Sequence, residues 1–168
     1  MKKDKLNRKK YELFFIFDRV LNSYYNHIQM NLTLSRLSAP YHFAIKNASG
    51  NTVETDASTD IGGGDAALRP MELLLAGLSS CSSIDVVLLL QKMRQPLTDI
   101  RVDIKAERRQ NETPSLFEKI HLHFVLYGAL DHEKTQKAID MSIDKYCSVA
   151  KILEKTCTIT WDFEILPA

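Results

Sequence analysis

The fold is decided by residues 70–92, whose sequence is PMELLLAGLSSCSSIDVVLLLQK. Pro70 suits the first turn of a helix, because its missing N–H group would have no partner there. The stretch that follows is apolar on nearly every side of a helix, and Gln95-Pro96 ends it. A helix without a polar face lies in the middle of a protein. The rest of the chain is therefore expected to supply the layers that cover it.

Alternation of apolar and polar residues predicts six strands in addition to this helix. Three precede the helix, at residues 31–37, 41–45 and 52–56, and three follow it, at residues 100–107, 119–126 and 158–165. The connection at residues 111–115 contains Pro114, which favours a hairpin of the fourth and fifth strands.

Two further helices are predicted between the fifth and sixth strands. Asp131 is a typical N-cap for a helix that runs to about Tyr146, and a shorter helix is expected around residues 149–153. The element order β-β-β-α-β-β-α-α-β indicates an α+β protein. A single sheet of about six strands covers one side of the central helix, so a second layer is required on the other side. This predicts a dimer whose sheets enclose both central helices.

Composition narrows the class of protein. A chain of 168 residues that is 45% hydrophobic and 26% charged suits one globular domain. A formal net charge of +1 provides no general attraction to nucleic acid. Three cysteines are too few for a disulfide framework and favour a reducing compartment. We therefore expect a cytoplasmic protein with no membrane span and no nucleic-acid partner.

Residues 1–29 form a basic N-terminal extension that differs from the rest of the chain. Seven basic and three acidic residues give it a net charge of +4, and an apolar run at residues 13–17 is too short for a signal peptide. Three interpretations remain open: a helical arm that docks on a partner, a solvated extension, or a chain whose true start is Met30. Residues 30–168 are predicted to form the folded domain.

Two cysteine motifs carry a resemblance to a known family. Residues 69–87, RPMELLLAGLSSCSSIDVV, place Cys81 after a Pro-Met-Glu-Leu opening, and residues 145–151, KYCSVAK, place Cys147 in a Cys-Ser-Val motif. Both motifs, together with the element order from Met30 to Ile165, resemble the OsmC/Ohr family of osmotically inducible and organic hydroperoxide resistance proteins. The resemblance implies a β3-α-β2-α2-β subunit with a buried central helix and an intertwined homodimer.

The resemblance also implies a function and two catalytic residues. Cys81 corresponds to the peroxidatic cysteine and Cys147 to the resolving one, in a thiol peroxidase that reduces organic hydroperoxides as an antioxidant defence. A thiolate attacks the peroxide and becomes a sulfenic acid, which the second thiol converts to a disulfide. A dithiol reductant, such as a lipoyl group, would regenerate the thiols. No cofactor and no metal are expected.

The chain departs from the family pattern directly after Pro70. Hydroperoxide-reducing members carry an acid there that pairs with an arginine beside the thiolate, whereas this chain has Met71 and then Glu72. Glu72 lies about 100° further around the helix. Arg36, or Arg69 in its place, is the nearest arginine by position. Met71 favours an alternative function, in which the dimer is non-enzymatic and either responds to redox conditions or binds a small ligand.

Three other residues are of a type that can react or bind a metal. Cys157 is spaced by two residues from the next apolar residue of the last strand, so it would face the same side of the sheet as the apolar residues there. We interpret it as a packing residue. His121 and His123 share one strand face and could ligate a metal, but the sequence shows no third ligand at suitable spacing. They are therefore not predicted to form a metal site.

We predict that removal of residues 1–29 leaves the fold and the thiol chemistry intact. The extension differs from the rest of the chain in its net charge of +4, and the predicted strands begin only after it. The truncated protein should retain the circular dichroism spectrum, the midpoint of unfolding and the rate of thiol oxidation of the full chain. Aggregation, or a loss of several kcal/mol of stability, would show that the extension is part of the core.

Overall fold

A computed structural model describes residues 29–168, so the predicted arm at residues 1–28 lies outside the described residues. The described residues divide into two compact units, residues 29–67 and residues 68–168. The assignment of residues 30–168 to a single domain stays a prediction. The α+β class predicted from the sequence is confirmed.

In the first unit, three strands form an antiparallel sheet in the order β1-β2-β3. The strands are β1 (Leu32–Ser38), β2 (His42–Asn47) and β3 (Thr52–Thr55). Leu34 lies opposite Ile45, and Ile45 lies opposite Val53, so the three form an apolar row across the sheet. Within one chain Leu34 is 59% exposed and Val53 is 41% exposed. This sheet face is not covered by its own unit.

A buried carboxylate organises the loop that follows β3. Asp56 accepts hydrogen bonds from the backbone N–H groups of Ala57, Gly64 and Ala66 at 2.7, 3.0 and 3.1 Å. The bond from Ala66 is the main reason that the pKa of Asp56 lies below its usual value. Gly63 passes so close to the Ala57 carbonyl that a side chain at this position would overlap the backbone.

The second unit contains the central helix, a second sheet and the later helices. Its elements are α1 (Pro70–Lys92), β4 (Asp99–Arg108), β5 (Phe117–Tyr127), α2 (His132–Met141), a single π-helical turn (Ser142–Tyr146), α3 (Ser148–Leu153) and β6 (Thr158–Leu166). The sheet has the order β4-β5-β6, with the predicted hairpin antiparallel and β6 parallel to β5.

The expectation of one sheet of about six strands in a single chain is wrong for residues 29–168. These residues form two sheets of three strands, one in each unit. Alternation in a sequence shows which face of a strand is apolar, but it does not identify the neighbour to which the strand is hydrogen-bonded.

One stripe of α1 forms the core of the second unit. Leu78, Val86 and Leu90 are fully buried and belong to one hydrophobic cluster with β5, which contributes Ile120, Leu122, Phe124 and Leu126. A different face of α1 stays open in the single chain, where Leu74, Ile84 and Leu88 are 43%, 61% and 46% exposed. The helix is therefore apolar on two faces, and its own unit covers only one of them.

The helix α1 also requires a correction to the sequence analysis. With 23 residues it is long and apolar enough by length and composition to cross a membrane, although the sequence was expected to hold no such stretch. Its buried stripe packs into the protein core, as expected for the central helix of a folded unit.

The segment between β5 and β6 follows the prediction at its start and departs from it at its end. Asp131 caps α2 by accepting a hydrogen bond from the Lys134 N–H at 2.9 Å. The α-helix ends at Met141 and not at Tyr146, because residues 142–146 form a wider π turn. The Cys147 N–H closes this turn by donating to the Ser142 carbonyl at 2.8 Å.

Candidate functional site

Three reactive side chains meet where α1 packs beside the π turn. The sulfur atoms of Cys81 and Cys147 and a carboxylate oxygen of Asp85 all lie within 4.8 Å of one another. Cys81 and Asp85 are four residues apart on α1, which places them on the same side of the helix. Both cysteines are free thiols. The two cysteines predicted from the sequence motifs are therefore neighbours in space.

Ser142 joins the π turn to α1 at this point. Its hydroxyl donates to the Ser82 carbonyl oxygen at 3.1 Å and lies 3.4 Å from Asp85 Oδ2. Ser142 and Ser82 are fully buried. Because a buried polar group is costly unless it has a hydrogen-bond partner, these contacts favour one relative position of the turn and the helix. That position brings Cys147 to Cys81.

The two thiols differ in their exposure. Cys147 is fully buried, whereas Cys81 is half-buried on α1. Cys147 is the N-cap of α3, and its sulfur accepts a hydrogen bond from the Ala150 N–H at 3.4 Å. Small molecules from solvent therefore reach Cys81 more readily than Cys147.

The start of α3 does not favour a thiolate at Cys147. Burial raises the pKa of Cys147 well above its usual value, and the hydrogen bond from Ala150 only partly opposes this effect. The neighbouring Cys81 and Asp85 raise it further. A short helix supplies one N–H bond, and removal of the sulfur from water has the larger effect.

Asp85 is a site residue that sequence reasoning missed. It is half-buried, and burial raises the pKa of its carboxyl group, while the contact with Ser142 lowers it. Its position in the sequence could have indicated this role, because Asp85 comes one helical turn after Cys81 and is followed by an apolar stretch. Two thiols and a carboxylate are also groups that can ligate a metal ion.

The predicted charge partners have contacts within their own units. Glu72 accepts a hydrogen bond from the Arg69 backbone N–H at 2.8 Å and so caps the helix that contains it. Met71 is partly buried against the hydrophobic cluster. Arg36 lies on β1 in the first unit, opposite Phe43. The pairing of Arg36 or Glu72 with the thiol site stays a prediction.

The third cysteine has the surroundings of a packing residue. Cys157 is partly buried against the hydrophobic cluster, and its thiol donates to the Leu153 carbonyl at 3.2 Å. Burial raises its pKa, which opposes formation of a reactive thiolate.

The two histidines of β5 have polar partners on β6. His121 Nδ1 lies 2.9 Å from Thr160 Oγ1, and His123 Nδ1 is hydrogen-bonded to Asp162, which is the main reason that the pKa of His123 is raised. The parallel pairing of β5 with β6 places Asp162 directly opposite His123. The sequence could not show this partner, because it did not predict the strand pairing.

Comparisons with known proteins agree with this fold. The model of a family described as OsmC-like protein matches residues 62–162. Protein YhfA of Escherichia coli K12 is 42% identical over 127 residues, which cover 75% of this chain and 91% of the relative.

Solved structures of other proteins have the same fold. A hypothetical protein from Aquifex aeolicus VF5 is 30% identical with a TM-score of 0.69, and the match covers 83% of this chain and 99% of that one. An organic hydroperoxide resistance protein from Elizabethkingia anophelis is 18% identical with a TM-score of 0.63, covering 82% of this chain and 98% of that one. At this lower identity the likeness concerns the fold alone.

Proposed function

Because this chain belongs to the OsmC-like family, we propose that it is a thiol peroxidase that reduces organic hydroperoxides with Cys81 and Cys147. The observation that carries the proposal is the pair of free thiols within 4.8 Å of each other, one half-exposed and one buried. Proteins named for organic hydroperoxide resistance, from Elizabethkingia anophelis and Bacillus subtilis, share the fold and support a role in redox stress defence.

The first step takes place at Cys81, the more accessible thiol. Its sulfur attacks the terminal oxygen of the hydroperoxide, and the O–O bond breaks. The leaving alkoxide takes up the proton lost by the thiol and departs as an alcohol. Cys81 is left as a sulfenic acid, so the thiol is oxidised by two electrons and the peroxide is reduced by two.

The second step uses the buried thiol. The Cys147 sulfur attacks the sulfenic sulfur of Cys81, an S–S bond forms, and the hydroxyl leaves with the Cys147 proton as water. A disulfide requires an S–S distance of about 2.05 Å, so the sulfurs approach each other from within 4.8 Å by rotation of their side chains. A dithiol of the lipoyl type then reduces the disulfide, which suits a cytoplasmic location.

The proposed enzyme is an intertwined homodimer. The open face of α1, with Ile84 at 61% exposure, and the apolar row of the first sheet, with Leu34 at 59%, are uncovered in one chain. Burial of each such side chain contributes about 1.5–3 kcal/mol. A second copy of the chain, with the same apolar surfaces, would cover them.

We predict that cysteine substitutions separate the two steps. With cumene hydroperoxide as substrate and dihydrolipoamide as reductant, Cys81→Ser should lose turnover, because the attacking sulfur is absent. Cys147→Ser should consume about one equivalent of peroxide and then stop with this reductant. Cys157→Ser is the matched control and should turn over like the wild type. Stoichiometric thiol oxidation without turnover in the wild type would favour the alternative, a redox-responsive dimer that is not an enzyme.

We predict that the wild type sediments as a dimer at micromolar concentration. Ile84→Asp should shift it toward monomer or aggregate, since a charge would be buried in an apolar interface. Lys137→Asp introduces the same side chain at an exposed position of α2 and should leave the dimer unchanged. A stable, soluble wild-type monomer in analytical ultracentrifugation would contradict the proposal.

We predict that Met71→Glu raises the initial rate of peroxide reduction. A carboxylate in this position would hold an arginine beside the Cys81 sulfur through a bidentate ion pair, which methionine cannot form. Met71→Gln has nearly the same size and no charge, and it should not raise the rate. If the wild type is fast and Met71→Glu is no faster, another acid such as Glu72 or Glu107 holds the arginine.

A further inference from the structure

We propose that Cys81, Asp85 and Cys147 form a binding site for a thiophilic divalent cation of the Zn²⁺ type. The donor atoms are two sulfurs and a carboxylate oxygen, all within 4.8 Å of one another. The site uses the thiols of the proposed peroxidase, but the inference does not depend on peroxidase activity. The sequence predicts no metal site, because His121 and His123 have no third ligand at suitable spacing.

The distances are close to those of a zinc site. With Zn–S bonds of about 2.3 Å and Zn–O bonds of about 2.0–2.2 Å, tetrahedral ligand atoms lie roughly 3.5–3.8 Å apart. The three donors here lie within 4.8 Å of one another, so they need to close by at most about 1.3 Å. Cys81 and Asp85 supply their donors from one side of a helix at a spacing of four residues, which is a common arrangement of two metal ligands on a helix.

The chemical character of the third donor favours a cation. Two coordinating thiolates and a carboxylate carry three negative charges at short distance, and these charges repel one another unless a cation lies between them. A divalent cation reduces this repulsion: it deprotonates the coordinating thiols and offsets two of the three negative charges. The arrangement therefore supports a metal thiolate.

Outer hydrogen bonds hold two of the donors in place. The Ser142 hydroxyl lies 3.4 Å from Asp85 Oδ2, and the Ala150 N–H donates to the Cys147 sulfur at 3.4 Å. Such contacts orient ligands and strengthen metal binding. Three protein donors leave a fourth position for water or a small external thiol, and the half-exposed Cys81 and Asp85 provide the route of entry.

Metal binding would control the thiols without any redox change. One divalent cation binds to both thiols and the carboxylate, two S–M bonds form, and the two thiol protons pass to solvent. The Cys81 lone pair is then held by the metal and cannot attack a peroxide. Removal of the metal by a chelator restores both thiols.

The test uses Co²⁺ as a spectroscopic probe on the reduced, chelator-treated full chain. We expect one Co²⁺ per chain, with a thiolate-to-cobalt charge-transfer band in the near ultraviolet and tetrahedral bands in the visible, all removed by Zn²⁺. Cys81→Ser or Cys147→Ser should weaken or abolish the charge-transfer band. Asp85→Asn, which keeps the shape but is a weaker donor, should lower the affinity by about tenfold or more. Cys157→Ser is the control and should bind like the wild type.

Two outcomes would overturn the inference. The first is Co²⁺ binding without a thiolate-to-cobalt band. The second is an unchanged band and an unchanged affinity in Asp85→Asn, with the folding of the variant checked by circular dichroism.

Reaction with a thiol reagent gives an independent readout, since Zn²⁺ should protect two of the three cysteines. Peroxide turnover is measured separately in the presence of chelator. Loss of turnover with intact metal binding contradicts the peroxidase alone, and turnover without metal binding contradicts the metal site alone.

Discussion

The packing of α1 against β5 is the interaction on which the second unit depends. Leu78, Val86 and Leu90 meet a strand whose Leu122 and Phe124 are fully buried, and each such side chain contributes about 1.5–3 kcal/mol when removed from water. This burial fixes the rotation of α1 about its axis. Since Cys81 and Asp85 stand at set positions around the same helix, their direction is fixed as well.

The π turn provides the other half of the site. A regular α-helix from Asp131 to Tyr146 would place Cys147 at a different angle, because the wider turn changes the direction of the residues after Ser142. Ser142, at the start of this turn, donates from its hydroxyl to the Ser82 carbonyl of α1 at 3.1 Å. A single buried hydrogen bond contributes about 0.5–1.5 kcal/mol, which is small compared with the core. Its effect is on position: it sets where Cys147 lies relative to α1.

The electrostatics of the site link the two proposals. Burial raises the pKa of both Cys147 and Asp85, because it disfavours their charged forms. A peroxidase needs a positive charge to stabilise a thiolate at Cys81. A divalent cation supplies positive charge to the same three groups but occupies the sulfur that would attack. The two activities therefore compete for one set of donors.

The sequence by itself determined the elements and the identity of the thiols. Pro70 and Lys92 are the observed ends of α1, Asp131 caps the next helix as predicted, and the motifs around Cys81 and Cys147 indicated the family. These features are local, because periodicity, capping and short motifs depend on residues that are near one another in the chain.

Only the tertiary structure decided which distant residues meet. The division of the strands into two sheets, the parallel pairing that sets Asp162 opposite His123, and the π turn before Cys147 were not visible in the pattern of residues. In the sequence Asp85 is one polar residue in an apolar helix, and only the fold places the Cys147 sulfur, at the start of α3, beside it. Periodicity reports the face on which a residue lies, whereas contact across the fold depends on register and helix rotation, which are set by packing of the whole core.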